Sequence, residues 1–292
     1  MAGRSSVTYV RVPGSSANLG PGFDALGMAL SLYADVGVVG EAGTDALPDR
    51  ARLADEHHPA TIAFRAAGGV GSLWVRSEIP MGRGLGFSGA VRVGGAVLGV
   101  SQSCGTPFGD RSLMQRVIDV TANLEGHADN VSASLLGGVV ATNGGRAVRV
   151  PLATRVVDDL AVVVWIPDFT TSTSESRAKM PADVPLEDAV FNVTHTALLV
   201  AALAAGDIDV LGDATADRLH QDLRLAKAEP SRVALQAMRE AGAVGAWLSG
   251  SGPTVACFVR AGEADALASV LPENGRARVL SVDHHGARFV NV

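Results

Sequence analysis

The chain has 292 residues, 47% hydrophobic and 18% charged, which supports one large domain or two compact ones and excludes a disordered or fibrous polymer. A formal charge of −6 has the wrong sign for a protein that gains affinity by neutralising nucleic-acid phosphates. Arg92, His195 and Asp207 interrupt the most apolar runs and the opening MAGRSSVTYVRVPG lacks a secretory core, so the expectation is a cytoplasmic protein with neither a nucleic-acid nor a membrane partner. The cysteines, Cys104 and Cys257, form no CxxC or His/Cys cluster and are expected to be buried thiols. Lys179 and Lys227 are the only lysines, so a phosphate-gripping lysine has almost no candidate.

In chain order, TYVRVPGSS and the segment after ANLGPGFD alternate as two strands around a glycine-rich loop. Residues 41–59 are polar with Pro48 and Pro59 and read as an exposed excursion, followed by a short helix in TIAFRAAGGVG and a strand in LWVRSEIP. From Ser88 onward, small and apolar residues recur at helical spacing, so the GRGLG loop opens a helix. MQRVIDVTANLEGHADNVSASLLGGVVAT predicts two helices joined through EGHADN and then a strand. A bend at 150–156 divides the chain into domains 1–153 and 154–292. The second half predicts a strand in LAVVVWIPD, a Ser/Thr-rich loop in FTTSTSES, helices over 187–206, 208–226 and 230–241, and strands in AWLSG, TVACFV and ARVLSV. Strands and helices mix without a regular βαβ beat, which makes the fold class α+β in two domains.

Three glycine-rich turns carry the chemistry. PMGRGLGFSGA places Gly82, Gly84, Gly86 and Gly89 between a strand and a helix, where the glycines alone read equally as a plain tight turn or as an anion cradle of backbone N–H groups and a helix start. It is neither a Walker loop nor a dinucleotide fingerprint, because GxxxxGK[ST] and the acidic residue some twenty positions on are absent. SSANLGPGFD near the start and LSGSGPT near the end supply the other two turns.

PGSSANLGPGFDALG, PMGRGLGFSGA and LSGSGPT resemble, in the same order, the three signature motifs of the GHMP small-molecule kinases. Within that superfamily, SSANLGPGFDALG, LEGHADNVSASLLGG, STSESRAKMP and DRLHQDLR resemble the homoserine kinases. The resemblance implies an N-terminal domain like ribosomal protein S5 domain 2 and a ferredoxin-like C-terminal domain. It also implies transfer of a phosphoryl group from MgATP to the hydroxyl of L-homoserine, in threonine biosynthesis. A homodimer is a further expectation. On that resemblance Pro80, Met81, Gly82, Arg83, Gly84, Leu85, Gly86, Phe87, Ser88, Gly89 and Ala90 bind ATP, with Ser88 and Glu125 holding Mg²⁺. Taken alone, Ser88 reads as a helix N-cap and Glu125 as a solvated helix residue; the motif context reverses this.

Homoserine brings a carboxylate, an ammonium and a hydroxyl. Arg177 and Arg224 match positions that hold the carboxylate, a group that guanidinium meets through bidentate hydrogen bonds, and Asp24 pairs with the ammonium. The resemblance further implies that Asn18, His127 and Asn130 fix the hydroxyl end, that Gly250 lines the acceptor site, and that Ser88, Glu125 and Asn130 form the catalytic set. The spacing of EGHADN places His127 and Asn130 on one helical face. No Asp or Lys stands out as a base, which suits a loose transition state catalysed by positioning and charge. Phe87 and Gly89 depart from the usual GLGSSAA, the first replacing a small hydroxyl residue. Two other readings stay open: a different acceptor such as mevalonate, and a weakly active ligand-sensing member.

Overall fold

The computed structural model describes residues 8–40, 47–104, 109–171, 173–178 and 180–291. Its first sheet is organised by β2 (Leu26–Val38), whose 13 residues are long enough to serve two partners along one edge. β4 (Leu73–Ser77) pairs with residues 34–38 and β5 (Val139–Thr142) with residues 26–28, while β1 (Thr8–Ala17) runs along the opposite edge. β3 (Arg52–Ala54) extends the sheet beyond β4, and β6 (Ala147–Val150) pairs with β5. Every pairing is antiparallel.

α1 (Pro59–Ala66), α2 (Phe87–Cys104) and α4 (Asp129–Leu136) pack on this sheet, and α3 (Arg111–Glu125) packs on those helices. α2 is the central one, and its small residues decide how close its neighbours come. A Cβ on Gly95 would lie 2.1 Å from the Ala60 carbonyl oxygen of α1, so only glycine permits this crossing. Gly126 ends α3 with φ of 84°, the left-handed geometry of a glycine C-cap.

The second half runs α5 (Thr154–Asp159), β7 (Leu160–Pro167), α6 (Thr173–Ala178), α7 (Leu186–Ala205), α8 (Leu211–Ala214), α9 (Gln221–Leu225), α10 (Glu229–Glu240), β8 (Gly245–Leu248), β9 (Val255–Arg260), α11 (Ala264–Ser269) and β10 (Gly275–Leu280). The sheet order β10-β7-β9-β8, antiparallel throughout, with helices between β7 and β8 and between β9 and β10, is the ferredoxin-like arrangement. Both faces are covered, which is why LAVVVWIP reads as one apolar run. Val162, Val164 and Ile166 face a core shared with the first sheet, while Val163 and Trp165 face Leu235, Met238 and Leu267 of α10 and α11.

Several expectations need correction. The division at residue 153 fails for the last strand, β11 (Arg288–Asn291), which returns to pair with β1 in the first sheet. The helix expected over 208–226 is broken: a short 3₁₀ turn leads into α8, and α9 begins only at Gln221. The break arises because the Asp217 carboxylate accepts the N–H groups of His220 and Gln221 (2.9 and 2.8 Å), while the Asn192 side chain accepts that of Arg218 (2.9 Å). The excursion at 41–59 contains β3, and part of the Ser/Thr-rich loop forms α6; residues 41–46 and 172 lie outside the described residues, as does Lys179 in the STSESRAKMP phrase. Cys257 is buried, but Cys104 is only partly so. By length and composition α7 could cross a membrane, a property hidden from a count of consecutive apolar residues by Asn192, Thr194 and His195. One side of it is buried in the protein through Asn192, Leu199, Ala202 and Leu203.

Candidate active site

Loop 80–88 joins β4 to α2. Gly82, Gly84 and Gly86 have φ of 66°, 71° and 69°, a region where any side chain is strained. Space demands glycine too: a Cβ at Gly84 would sit 2.3 Å from the Ser249 carbonyl oxygen, and at Gly86 2.2 Å from Ser15 Oγ. The loop is held by its carbonyls. Ser15 N–H donates to Leu85 O (3.1 Å), Thr171 N–H to Gly82 O (3.1 Å), Ala90 N–H to Gly86 O (2.9 Å) and the Ser249 hydroxyl to Gly84 O (2.6 Å). Among the described residues, no backbone N–H from Gly82 to Gly86 donates to another backbone group. The carbonyls fasten the loop, and the loop and the first residues of α2 line a cleft of about 320 Å³.

Ser88, in the first turn of α2, donates to Glu125 Oε2 at the end of α3 (2.9 Å). Neighbouring oxygens around six-coordinate magnesium, with bonds of about 2.0–2.1 Å, are also about 2.9 Å apart, so the donor pair fits that ion in chemistry and spacing. Arg92, one helical turn beyond Ser88, already lies on both atoms: its Nε is 2.7 Å from Glu125 Oε2 and 3.2 Å from Ser88 Oγ.

The opposite end of the cleft is built from three loops. Asn18, Leu19 and Asp24 all have positive φ (71°, 51° and 57°), backbone strain concentrated where the β1–β2 connection enters the cleft. Asn18 pins that connection: Nδ2 donates to Gly250 O (3.1 Å) and Oδ1 accepts the Asp24 N–H (3.1 Å). Asp24 meets Arg177 in a bidentate pair (2.7 and 2.8 Å), half exposed on both sides. This bond is the main reason the Arg177 pKa is raised. Arg224 Nη1 donates to Gly250 O (3.0 Å) and stands 3.3 Å from His220 Nδ1, while its buried Nε has no hydrogen-bond partner. Burial and then the Arg177 charge press the Arg224 pKa down. Phe23 forms an apolar floor under both guanidiniums, 5.5 Å from Arg177 and 5.2 Å from Arg224. His220 is fully buried, and desolvation lowers its pKa; the neutral ring donates through Nε2 to Gly20 O (2.9 Å) and presents Nδ1 to Arg224.

Between the two ends, His127 bonds the buried carboxylate of Asp129. Burial works to lower the His127 pKa, but the hydrogen bond and charge of Asp129, aided by Glu125 and Asp24, outweigh it and raise the value. Asn130 Oδ1 accepts from the Ser15 hydroxyl (2.9 Å).

Residues Pro80 through Ser88, together with Asn18, Asp24, Glu125, His127, Asn130, Arg177, Arg224 and Gly250, all line this one cleft. Two expected ATP contacts do not. Gly89 packs against Asn130 and Val131, and Ala90 is fully buried in the core under the loop. His127 and Asn130 do not share a helical face either, because α4 starts only at Asp129 and His127 belongs to the link before it. Arg92, Asp129, Ser15 and His220 also belong to the site, through the hydrogen bonds given above. Arg92 had a signal, its four-residue spacing from Ser88, but nothing local points it at Glu125.

Fold and cleft define an enzyme of the small-molecule kinase class, with a glycine-rich loop that lines one cleft together with loops from both halves of the chain. The GHMP kinases N terminal domain family matches residues 52–138, and the GHMP kinases C terminal family matches residues 199–277. A homoserine kinase of Moorella thermoacetica is 40% identical over 262 residues, covering 86% of this chain and 87% of that protein. A homoserine kinase of Streptomyces avermitilis is 38% identical, with 97% and 96% covered. The crystal structure of homoserine kinase from Cytophaga hutchinsonii superposes with a TM-score of 0.81 at 22% identity, covering 99% of each chain, a likeness of fold. The chain belongs to the GHMP kinase family and is an ATP-dependent kinase.

Proposed function

We propose that this chain is a homoserine kinase, which transfers the γ-phosphoryl group of ATP to the side-chain hydroxyl of L-homoserine and so forms O-phospho-L-homoserine for threonine biosynthesis. One observation carries the reading beyond the relatives' names: the acceptor end presents opposite charges with an unfilled donor. Asp24 and Arg177 are salt-bridged to each other, and Arg224 Nε is buried without a partner. An amino-acid zwitterion matches this set, its ammonium going to Asp24 and its carboxylate to the guanidiniums. A hydroxy-acid without an ammonium would leave Asp24 dependent on Arg177 alone.

On this reading the N–H groups of Gly82 to Gly86 cradle the triphosphate, and the Phe87 ring lies along the cleft wall beside His58. Phe87 packs on the core with its ring edge-on to His58 (6.4 Å between centroids), while Ser88 points to Glu125. Ser88 and Glu125 would hold Mg²⁺ beside the phosphates. The ion would supply charge neutralisation for the transferring group. The acceptor hydroxyl oxygen forms the new bond to the γ-phosphorus as the bond to the bridging oxygen of ADP breaks, and the hydroxyl proton passes to an oxygen of the transferred phosphoryl group and from there to water. His127, raised toward its cationic form by Asp129, and Asn130, held by Ser15, stand beside that path; Asn18 acts by pinning Asp24 and Gly250. Positioning of the two substrates supplies most of the catalysis.

A homodimer is part of the proposal. Leu186, Val190 and Val193 of α7 are exposed on one face, and Ala197, Ala201 and Ala204 continue the stripe. Antiparallel packing of two copies sets the bulky half of each stripe against the small half of the other. A cytoplasmic location without a membrane partner follows the same reading. The activity is tested by ADP release with L-homoserine, mevalonate and L-serine. L-homoserine is expected to be the best acceptor by a wide margin, because buried polar groups built for one substrate are left unpaired by the others. Equal or better kcat/KM for mevalonate refutes the assignment, and ATP binding without turnover on any acceptor favours the sensor.

A further inference from the structure

We infer that Arg92 is a resident counter-ion on the Ser88–Glu125 pair, holding the two oxygens at metal-ready spacing while keeping a lone divalent cation off them until nucleotide brings one. This rests on the metal role given to the pair under the proposed function. Arg92 and Ser88 are four residues apart on α2 and so share one face. The Arg92 and Glu125 side chains are only 16% and 14% exposed, so water screens little of their interaction. A single guanidinium nitrogen touches both oxygens that would ligate the metal. The pair is therefore neutralised before any metal arrives.

A divalent ion bonded at about 2.0–2.1 Å to Glu125 Oε2 could lie no farther than about 5 Å from Arg92 Nε, which is itself 2.7 Å from that oxygen. Charges of like sign at that distance, in a partly dry site, repel strongly. One carboxylate cannot offset both cations. A nucleotide triphosphate brings several negative charges to the same place, so the ion enters as the nucleotide complex. In that complex the Arg92 cation remains as an added positive charge beside the phosphates. An apolar residue at this position would instead leave Glu125 as a bare carboxylate open to metal alone.

The test uses Mn²⁺ alone as probe, with unbound Mn²⁺ read by electron paramagnetic resonance, on the full chain with and without a non-hydrolysable ATP analogue. Wild type is expected to bind Mn²⁺ at least tenfold more weakly without the analogue than with it. Arg92→Met is expected to tighten nucleotide-free binding at least tenfold, Arg92→Lys to stay near wild type, and Glu125→Gln placed in Arg92→Met to abolish the gain. The inference is overturned if Arg92→Met binds Mn²⁺ no more tightly than wild type, or if wild type binds it equally well with and without the analogue. The second comparison needs no variant and stands even if Arg92→Met fails to fold. Should Glu125→Gln leave Mn²⁺ binding in the analogue complex unchanged, the metal role of the pair falls, and this inference with it.

Discussion

Replacing Arg224 by leucine probes the acceptor end most directly. Arg224 Nη1 holds Gly250 O at 3.0 Å and Nε is buried with no partner, so the variant removes both a fastening of the 248–254 turn and the unfilled donor assigned to the substrate carboxylate. Truncating one partner of a buried charged hydrogen bond costs roughly 2 to 5 kcal/mol. Arg177 remains nearby, but its side chain is 43% exposed, so it compensates only in part and the lower half of that range applies. At about 1.4 kcal/mol per tenfold, a loss of about 2 to 3.5 kcal/mol lowers kcat/KM for L-homoserine by roughly 30- to 300-fold. The loss should fall mainly on the homoserine KM and less on the ATP KM, since Leu85 and Gly82 of the glycine-rich loop keep their own fastenings to Ser15 and Thr171. Steady-state kinetics with each substrate varied in turn measure both. Arg177→Leu should act in the same direction but less strongly, because its partner Asp24 is also half exposed. Wild-type homoserine KM in both variants would refute the carboxylate placement.

Three further outcomes are expected. Ser88→Ala should lower kcat by tenfold or more, the effect of losing about 1.4 kcal/mol in the transition state, whereas Phe87→Ser should change the ATP KM only modestly; a large gain of activity in Phe87→Ser would show that the ring obstructs the loop. Burial holds the His220 pKa below its ordinary value, so the unfolded chain takes up this proton more readily and stability should fall as pH drops below about 6.5. The change in urea midpoint between pH 7.5 and 5.5 should shift in His220→Gln toward less loss of stability at the lower pH; an unchanged difference removes His220 as a contributor. Val193→Lys on the exposed stripe of α7 should convert dimer to monomer in light scattering without loss of turnover, and an unchanged mass would place any dimer contact elsewhere.

What could be read from the chain alone depended on short-range physics. The positive φ of Gly82, Gly84 and Gly86 is a demand that glycine meets locally, so the phosphate loop was legible as a motif, and the spans of α2, α3, α7 and α10 followed from helical periodicity and their flanking residues. The alternation within LAVVVWIP could not say which face met which layer, because both are buried. Contacts between residues far apart in sequence lay beyond its reach. Tertiary packing alone decided that the helix expected over 208–226 breaks where Asn192 and Asp217 capture its N–H groups. It alone brought β11 back to β1. It also paired Asp24 with Arg177, 153 residues away, and turned Arg92 toward Glu125, 33 residues away. Glycine turns and helical spacing are set by a residue and its near neighbours, whereas the charge state of the cleft depends on which distant side chains the fold brings within bonding distance.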